Sequence, residues 1–250
     1  MIKNKKKPKD HYIPQFYLSR WTTNGSLFSA KYIEHIGKIS WTPRSPKETG
    51  YERGLYGEVE KTFFMPLDDK ASKIVSELHD QGITSLQKME LGEKNHDMWA
   101  KYILAQIIRV PKYVNEVYRI YNQSGIETGA AINQLPSIIQ NKKAIKDVRS
   151  LKWLFVKIES NLELITSDNP IIFKPRNLRN KSCILILPMG PHHFFLATHE
   201  RNIGRIENNP RKLVSYINQE IISNSVERIY ARSRHSIKNE FILKHWKKAT

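Results

Sequence analysis

Apolar residues in this chain change their spacing part-way along, and that change limits the folds open to it. Between Glu58 and His79 the positions Val59, Phe63, Leu67, Ala71, Ile74, Val75 and Leu78 recur at threes and fours, the helical period. Pro66 breaks or kinks the start, so the spacing predicts a long helix from about Leu67. Asn95 to Tyr121 repeats the pattern through Trp99, Ile103, Ile107, Val110, Val114, Val117 and Tyr118, a second helix kinked at Pro111. After Leu151 the texture becomes WLFVKIES, LELITS, PIIFKP, CILILPM and FFLAT, short apolar runs parted by Asn, Pro and Gly, which read as strands of one sheet.

The expected class is therefore α+β, with a helical middle segment (58–150) packed on a C-terminal, mainly antiparallel sheet (151–250). Asn208 to Arg232 returns to helical spacing and VERIYAR supplies a last strand. Gly25 to Trp41 alternates and reads as a β-hairpin, Thr42 to Gly57 as a loop, and Asn122 to Pro136 as a loop before a shorter helix around Ser137 to Ser150. No linker divides residues 11–250, so one domain is expected, and 250 residues are enough to bury a core. Residues 1–10, with five lysines and one aspartate, read as a basic disordered tail.

Lys and Arg total 41 against 24 Asp and Glu, a net charge of +17. Such a chain attracts polyanions, and nucleic acid is the leading partner class. The sequence offers no run of about eighteen apolar residues, no apolar signal core behind the leader and no convincing helix with a basic and an apolar face, so no membrane role is expected. The single cysteine, Cys183, excludes internal disulfides and a cysteine-based metal site, which fits a reduced, cytoplasmic setting. HExxH, GxxxxGK[ST], GxSxG and GxGxxG are all absent, and zincin, P-loop, hydrolase and Rossmann readings lose their usual support.

Four segments carry candidate chemistry. HYIPQFYLSRW, from His11 to Trp21, puts His11 and Gln15 on a backbone stiffened by Pro14, with Tyr12, Phe16, Tyr17 and Trp21 able to stack on bases or to pack the core. Imidazole titrates near neutral pH, so His11 suits acid–base work, although residue type and position alone favour a structural histidine bonded to backbone. AQIIRVP places Gln106 and Arg109 on one helix face in an apolar stretch; a buried arginine needs an anion, either a carboxylate such as Asp168 or Glu60, or a phosphate. TSDNP puts Asp168 and Asn169 at a strand end, as an Asx turn or as a pocket group. KPRNLRNK adds Lys174, Arg176 and Arg179 beyond it, where a phosphate-tracking groove would fit. His192 and His193, adjacent on a strand, point to opposite faces and make a poor metal pair.

Taken in order, HYIPQFYLSRW, EKTFFMPLDDKAS from Glu60, QIIRVP from Gln106, ITSDNP from Ile165 and LPMGP from Leu187 resemble the bacterial family catalogued as domain of unknown function number 4238. Its members open with a segment like HHYVPQFYLRNF and go on to a glutamate-bearing helical region, a Q-x-x-R-x-P helix, TSDNP and a PLSP strand. The resemblance implies that His11, Gln15, Glu60, Gln106, Arg109, Asp168 and Asn169 cluster. This chain departs in having one histidine before Tyr12, Trp21 for Phe, and Asp68 where a second glutamate would fall.

The function expected from these residues is a nucleic-acid-targeting effector, a ribonuclease of toxin or phage-defence type held by a neutralising partner protein. His11 would be its acid or base, Arg109 would stabilise charge on phosphorus and Asp168 would orient one of them, with Gln15, Gln106, Asn169 and the three cations binding. A metal-assisted version would place Mg2+ on Glu60, Asp68 and Asp168. The alternatives are a non-catalytic nucleic-acid-binding or regulatory module and a sensor of a small phosphorylated ligand.

Overall fold

The computed structural model describes residues 7–80, 87–88, 91–125, 127–205 and 209–246. The chain is α+β, with antiparallel sheets and the helices concentrated mid-chain. Its strands are β1 (Lys9–His11), β2 (Leu27–Ile33), β3 (Lys38–Arg44), β4 (Tyr51–Arg53), β5 (Gln87–Lys88), β6 (Lys152–Lys157), β7 (Thr166–Ser167), β8 (Ile172–Lys174), β9 (Ile184–Gly190), β10 (His193–Thr198) and β11 (Ile229–Ala231). Its helices are α1 (Gln15–Leu18), α2 (Met65–Asp80), α3 (Glu93–Ile108), α4 (Pro111–Gln123), α5 (Thr128–Ile139), α6 (Lys142–Arg149), α7 (Pro210–Asn224) and α8 (Asn239–His245). Among the described residues no helix is long and apolar enough to cross a membrane.

The apolar runs after Leu151 do not form one sheet. Five strands order as β5-β6-β10-β9-β8, but β7 leaves that sheet and joins β3-β2-β11-β7, beside the N-terminal hairpin. The five-stranded sheet is covered on both faces, which explains runs without polar alternation. Trp153, Phe155, Leu185, Leu187 and Phe195 face the core shared with the middle helices; Leu154, Val156, Ile186, Phe194 and Leu196 face α7 and α8.

Three further expectations are corrected. Residues 1–6 lie outside the described residues, but Lys9 and Asp10 are no tail: they pair with β4 in the register Lys9↔Arg53, Asp10↔Glu52, His11↔Tyr51. The stretch 122–136 is largely α5, with Pro136 inside it near its C-terminal end. The second predicted helix is two, α3 and α4. Pro111 is the first residue of α4 and holds Val110 extended (ψ 142°), so the chain breaks at Arg109–Val110 instead of kinking.

Candidate functional site

The N-terminal segment is pinned before it reaches His11. The Asp10 carboxylate, 1% exposed, accepts hydrogen bonds from the main-chain N–H groups of Tyr56 (2.8 Å) and Gly57 (3.3 Å). Beyond it, the Ile13 N–H donates to the Gly50 carbonyl at 3.0 Å, and Gly50 sits at φ +67° with the Ile13 side chain 3.0 Å from where a Cβ would stand, so only glycine fits. Pro14 then ends the extended run and opens α1. His11 is consequently buried against Tyr51, with ring centroids 5.5 Å apart. Gln15 Nε2 stands 3.5 Å from His11 Nδ1, too long a contact to fix which ring nitrogen bears the proton, and His11 Nε2 has no hydrogen-bond partner among the described residues. Burial lowers the imidazole pKa below its ordinary 6.5.

Glu60 and Asp68 come from one helical stretch that begins at Glu58 and passes through a π-turn at Glu60–Phe64 before α2. The widened turn precedes Pro66, which has no N–H to offer an α-helical register, and it rotates the two acids into line. Eight regular steps of about 100° would leave Asp68 roughly 80° past Glu60, whereas one extra residue in the turn brings it within roughly 20° of the same face. Glu60 Oε2 is buried without a partner among the described residues, and burial raises its carboxyl from 4.5 to about 7 against the pull of Arg109.

Arg109 lies behind Asp68, fully buried. Its Nη1 donates to both Asp68 oxygens at 2.9 and 3.0 Å, and Gln106, with its amide oxygen turned to the guanidinium, accepts from Nε at 2.7 Å and from Nη2. The rings of Phe64 and Tyr102 stand 5.7 and 5.8 Å from the guanidinium carbon. Because the helix breaks here the Arg109 carbonyl is free of the α-helical ladder, and the Tyr56 hydroxyl donates to it. Burial opposes the arginine's charge, but Asp68 together with Tyr102 and Tyr56 more than restores it; burial likewise lifts Asp68, only to about 6, so the pair is ionised at neutral pH.

These parts enclose a cleft of about 620 Å³ whose lining includes His11, Gln15, Glu60 and Asp68, together with Lys9, Lys47 and Lys61. Lys9 is engaged, donating to Glu48 at 2.6 Å and to the Lys47 carbonyl at 3.2 Å. Arg109 and Gln106 do not line the cleft; they reach it through Asp68.

Asp168 and Asn169 stand elsewhere. Asp168 Oδ1 accepts from the Val226 N–H (2.8 Å) and Oδ2 from those of Glu227 (2.6 Å) and Arg228 (2.8 Å), while Asn169 Nδ2 donates to the Asn224 carbonyl at 3.0 Å. Asp168 makes no hydrogen bond to His11 or Arg109 among the described residues, so its expected orienting role has no contact behind it: its oxygens brace the segment that leads from α7 into β11. Lys174 pairs with Glu220, Arg179 with Asp147 at 2.9 Å, and Arg176 lies over the Tyr113 ring at 5.2 Å, so these cations are engaged locally, away from the cleft. The set Glu60, Asp68 and Asp168 is not assembled, and no group of three or more His, Cys, Asp or Glu among the described residues is placed to hold a metal ion. Tyr17 and Trp21 are core: Tyr17 and Thr166 hydroxyls lie 2.8 Å apart, and Trp21 Nε1 donates to the Leu164 carbonyl at 2.9 Å.

The family described as "protein of unknown function (DUF4238)" matches residues 9–235. The chain belongs to this family. No curated protein and no solved structure matches it. Three of the segments that resemble DUF4238 proteins, those around His11, Glu60 and Arg109, converge on the cleft, while the fourth, TSDNP, stabilises the neighbouring four-stranded sheet. Asp10, Tyr56, Phe64 and Tyr102 were not among the predicted site residues. Asp10 had one available signal, an isolated acid at the end of a lysine run and directly before His11.

Proposed function

We propose that this DUF4238 protein is a ribonuclease that cleaves RNA by transesterification, with His11 as general base and Glu60 as general acid. The observation that supports it is the pair itself: two acid–base groups on one cleft, His11 buried and Glu60 half-buried, each with a buried polar atom left without a partner among the described residues, and shifted in opposite directions, the histidine towards its neutral form and the glutamic acid towards its protonated form. His11 takes the proton of the ribose 2′-hydroxyl, the oxygen forms a bond to phosphorus, the bond from phosphorus to the 5′-oxygen breaks, and Glu60 gives that oxygen its proton. The products are a 2′,3′-cyclic phosphate and a free 5′-hydroxyl. Lys47 and Lys61 on the rim attract the phosphodiester, within the field of a +17 chain. Arg109 acts at one remove, holding the Asp68 carboxylate in place. Action on RNA in the cytoplasm as a toxin or phage-defence effector belongs to the same proposal, as does a neutralising partner that covers the cleft.

The test is incubation of purified protein with total RNA and with DNA, with and without EDTA, beside His11→Ala and Glu60→Gln variants shown to be folded. RNA cut to cyclic-phosphate ends, with DNA intact because it lacks the 2′-hydroxyl, is the expected result. If the wild-type protein cuts nothing, or the folded variants cut equally well, the reading is lost, and a protein that binds RNA without cutting it is a binding module.

A further inference from the structure

The helical stretch that carries Glu60 and Asp68 borders a second cavity, of about 700 Å³, lined in part by Lys70, Lys94 and Lys101. That volume lies within the roughly 300–1,000 Å³ of small-molecule sites. Its one acidic lining residue, Asp97, is already held by Arg149 at 2.6 Å, and among the described residues the three lysines have no carboxylate against them. Lys94 also stands in the first turn of α3, where the helix dipole is positive and a cation is disfavoured. Three lysines thus line one concave surface without a carboxylate against them among the described residues, and a bound anion would gain from all three.

The floor of the cavity is apolar, with Phe63, Leu67 and Met98 in its lining. Phe63 is half-buried and touches Phe64 edge-on at 5.4 Å, and Phe64 is the ring beneath Arg109. A ligand in this cavity therefore needs phosphate for the lysines and a flat, weakly polar body for the aromatic and aliphatic floor. We infer that this cavity binds a mononucleotide, its phosphate on Lys70, Lys94 and Lys101 and its base on Phe63 and Met98. The inference does not rest on the ribonuclease reading, since the two cavities share no lining residue.

Titration calorimetry of the full chain with AMP, inorganic pyrophosphate and adenosine tests it. AMP is expected to bind, adenosine and pyrophosphate each at least about tenfold more weakly, because each lacks one half of the recognised ligand. Lys70→Ala/Lys101→Ala should weaken AMP at least about tenfold, Phe63→Ala should weaken AMP and leave pyrophosphate unchanged, and Lys212→Ala, exposed on α7 and lining neither cavity, should change neither. Lys70 is exposed and Lys101 half-buried, and neither belongs to the apolar core, so a folded double variant is available. Equal AMP binding by wild type and double variant, no AMP binding at all, or pyrophosphate binding as tightly as AMP would each overturn the proposal.

Discussion

Arg109 and Asp68, 41 residues apart in sequence, meet through two hydrogen bonds of 2.9 and 3.0 Å, and through them the arginine, which does not line the cleft, is tied to it. The pair joins the end of α3 to the side of α2, so it fixes the wall on which the cleft's acids stand. Arg109→Ala would strand Asp68 half-buried without its cation and should cost about 3–5 kcal/mol, while Arg109→Met with Asp68→Leu should recover much of that loss. Urea denaturation followed by circular dichroism reads both. A single variant as stable as the parent would show that the pair is not holding these helices.

The helical segments around this pair were legible because the apolar period and Pro111 are local signals, and Arg109 stood out as a cation in an apolar run. Asp68 as its partner was not, since Asp168 and Glu60 were equally available acids and the choice depends on the widened turn at Glu60–Phe64. TSDNP misled for a similar reason. The motif fixes an aspartate at a strand end, but its three partners, Val226, Glu227 and Arg228, lie 58 to 60 residues downstream, where local pattern cannot reach. The split into two sheets is likewise a matter of long-range pairing, β7 with β11 and β11 with β2.

Asp168 should accordingly behave as a structural residue. Asp168→Ala leaves three main-chain N–H groups without an acceptor and should cost about 3 kcal/mol or more. The protein that remains folded should keep its kcat on RNA. A folded Asp168→Ala variant whose kcat fell by a hundredfold would restore the aspartate to the chemistry and sink this assignment.

Asp10 holds the strand that delivers His11. Asp10→Ala removes the acceptor from the Tyr56 and Gly57 N–H groups and should cost about 1–3 kcal/mol, with Asp10→Asn costing less because it keeps an acceptor oxygen. Hydrogen exchange should quicken in β1 and β4 before it does in the five-stranded sheet. Uniform loss of protection across the chain would argue against a local anchoring role.

Glu60 makes stability depend on pH in a sense opposite to that of a carboxylate whose pKa is lowered by an ion pair. Its pKa rises from 4.5 unfolded to about 7 folded, so the folded state binds the proton more tightly. The stability this contributes is fully present below 4.5, falls as pH rises towards 7 and is gone above it. His11, lowered from 6.5, acts the other way, and stability is lost as pH falls below 6.5. Subtracting the Glu60→Gln unfolding free energy from that of the parent, pH by pH, isolates the glutamate. A difference that stays flat between pH 4.5 and 7 would mean that Glu60 is not shifted in the fold.

The same two groups set the pH dependence of cleavage. A neutral His11 and a protonated Glu60 are needed together, so the rate should rise on the acid side through the lowered histidine pKa and decline above about 7 as Glu60 loses its proton, giving a mildly acidic optimum. The assignment of roles can be separated from the shape of the curve by changing the leaving group. An RNA whose 5′-oxygen at the scissile bond is replaced by sulfur has a leaving group that needs no acid. Glu60→Gln should cut it at close to the parent rate, with no decline above pH 7, while His11→Ala should remain slow because the 2′-hydroxyl still has to lose its proton. Rescue of His11→Ala and not of Glu60→Gln would exchange the two roles, and rescue of neither would remove the acid step from Glu60 altogether.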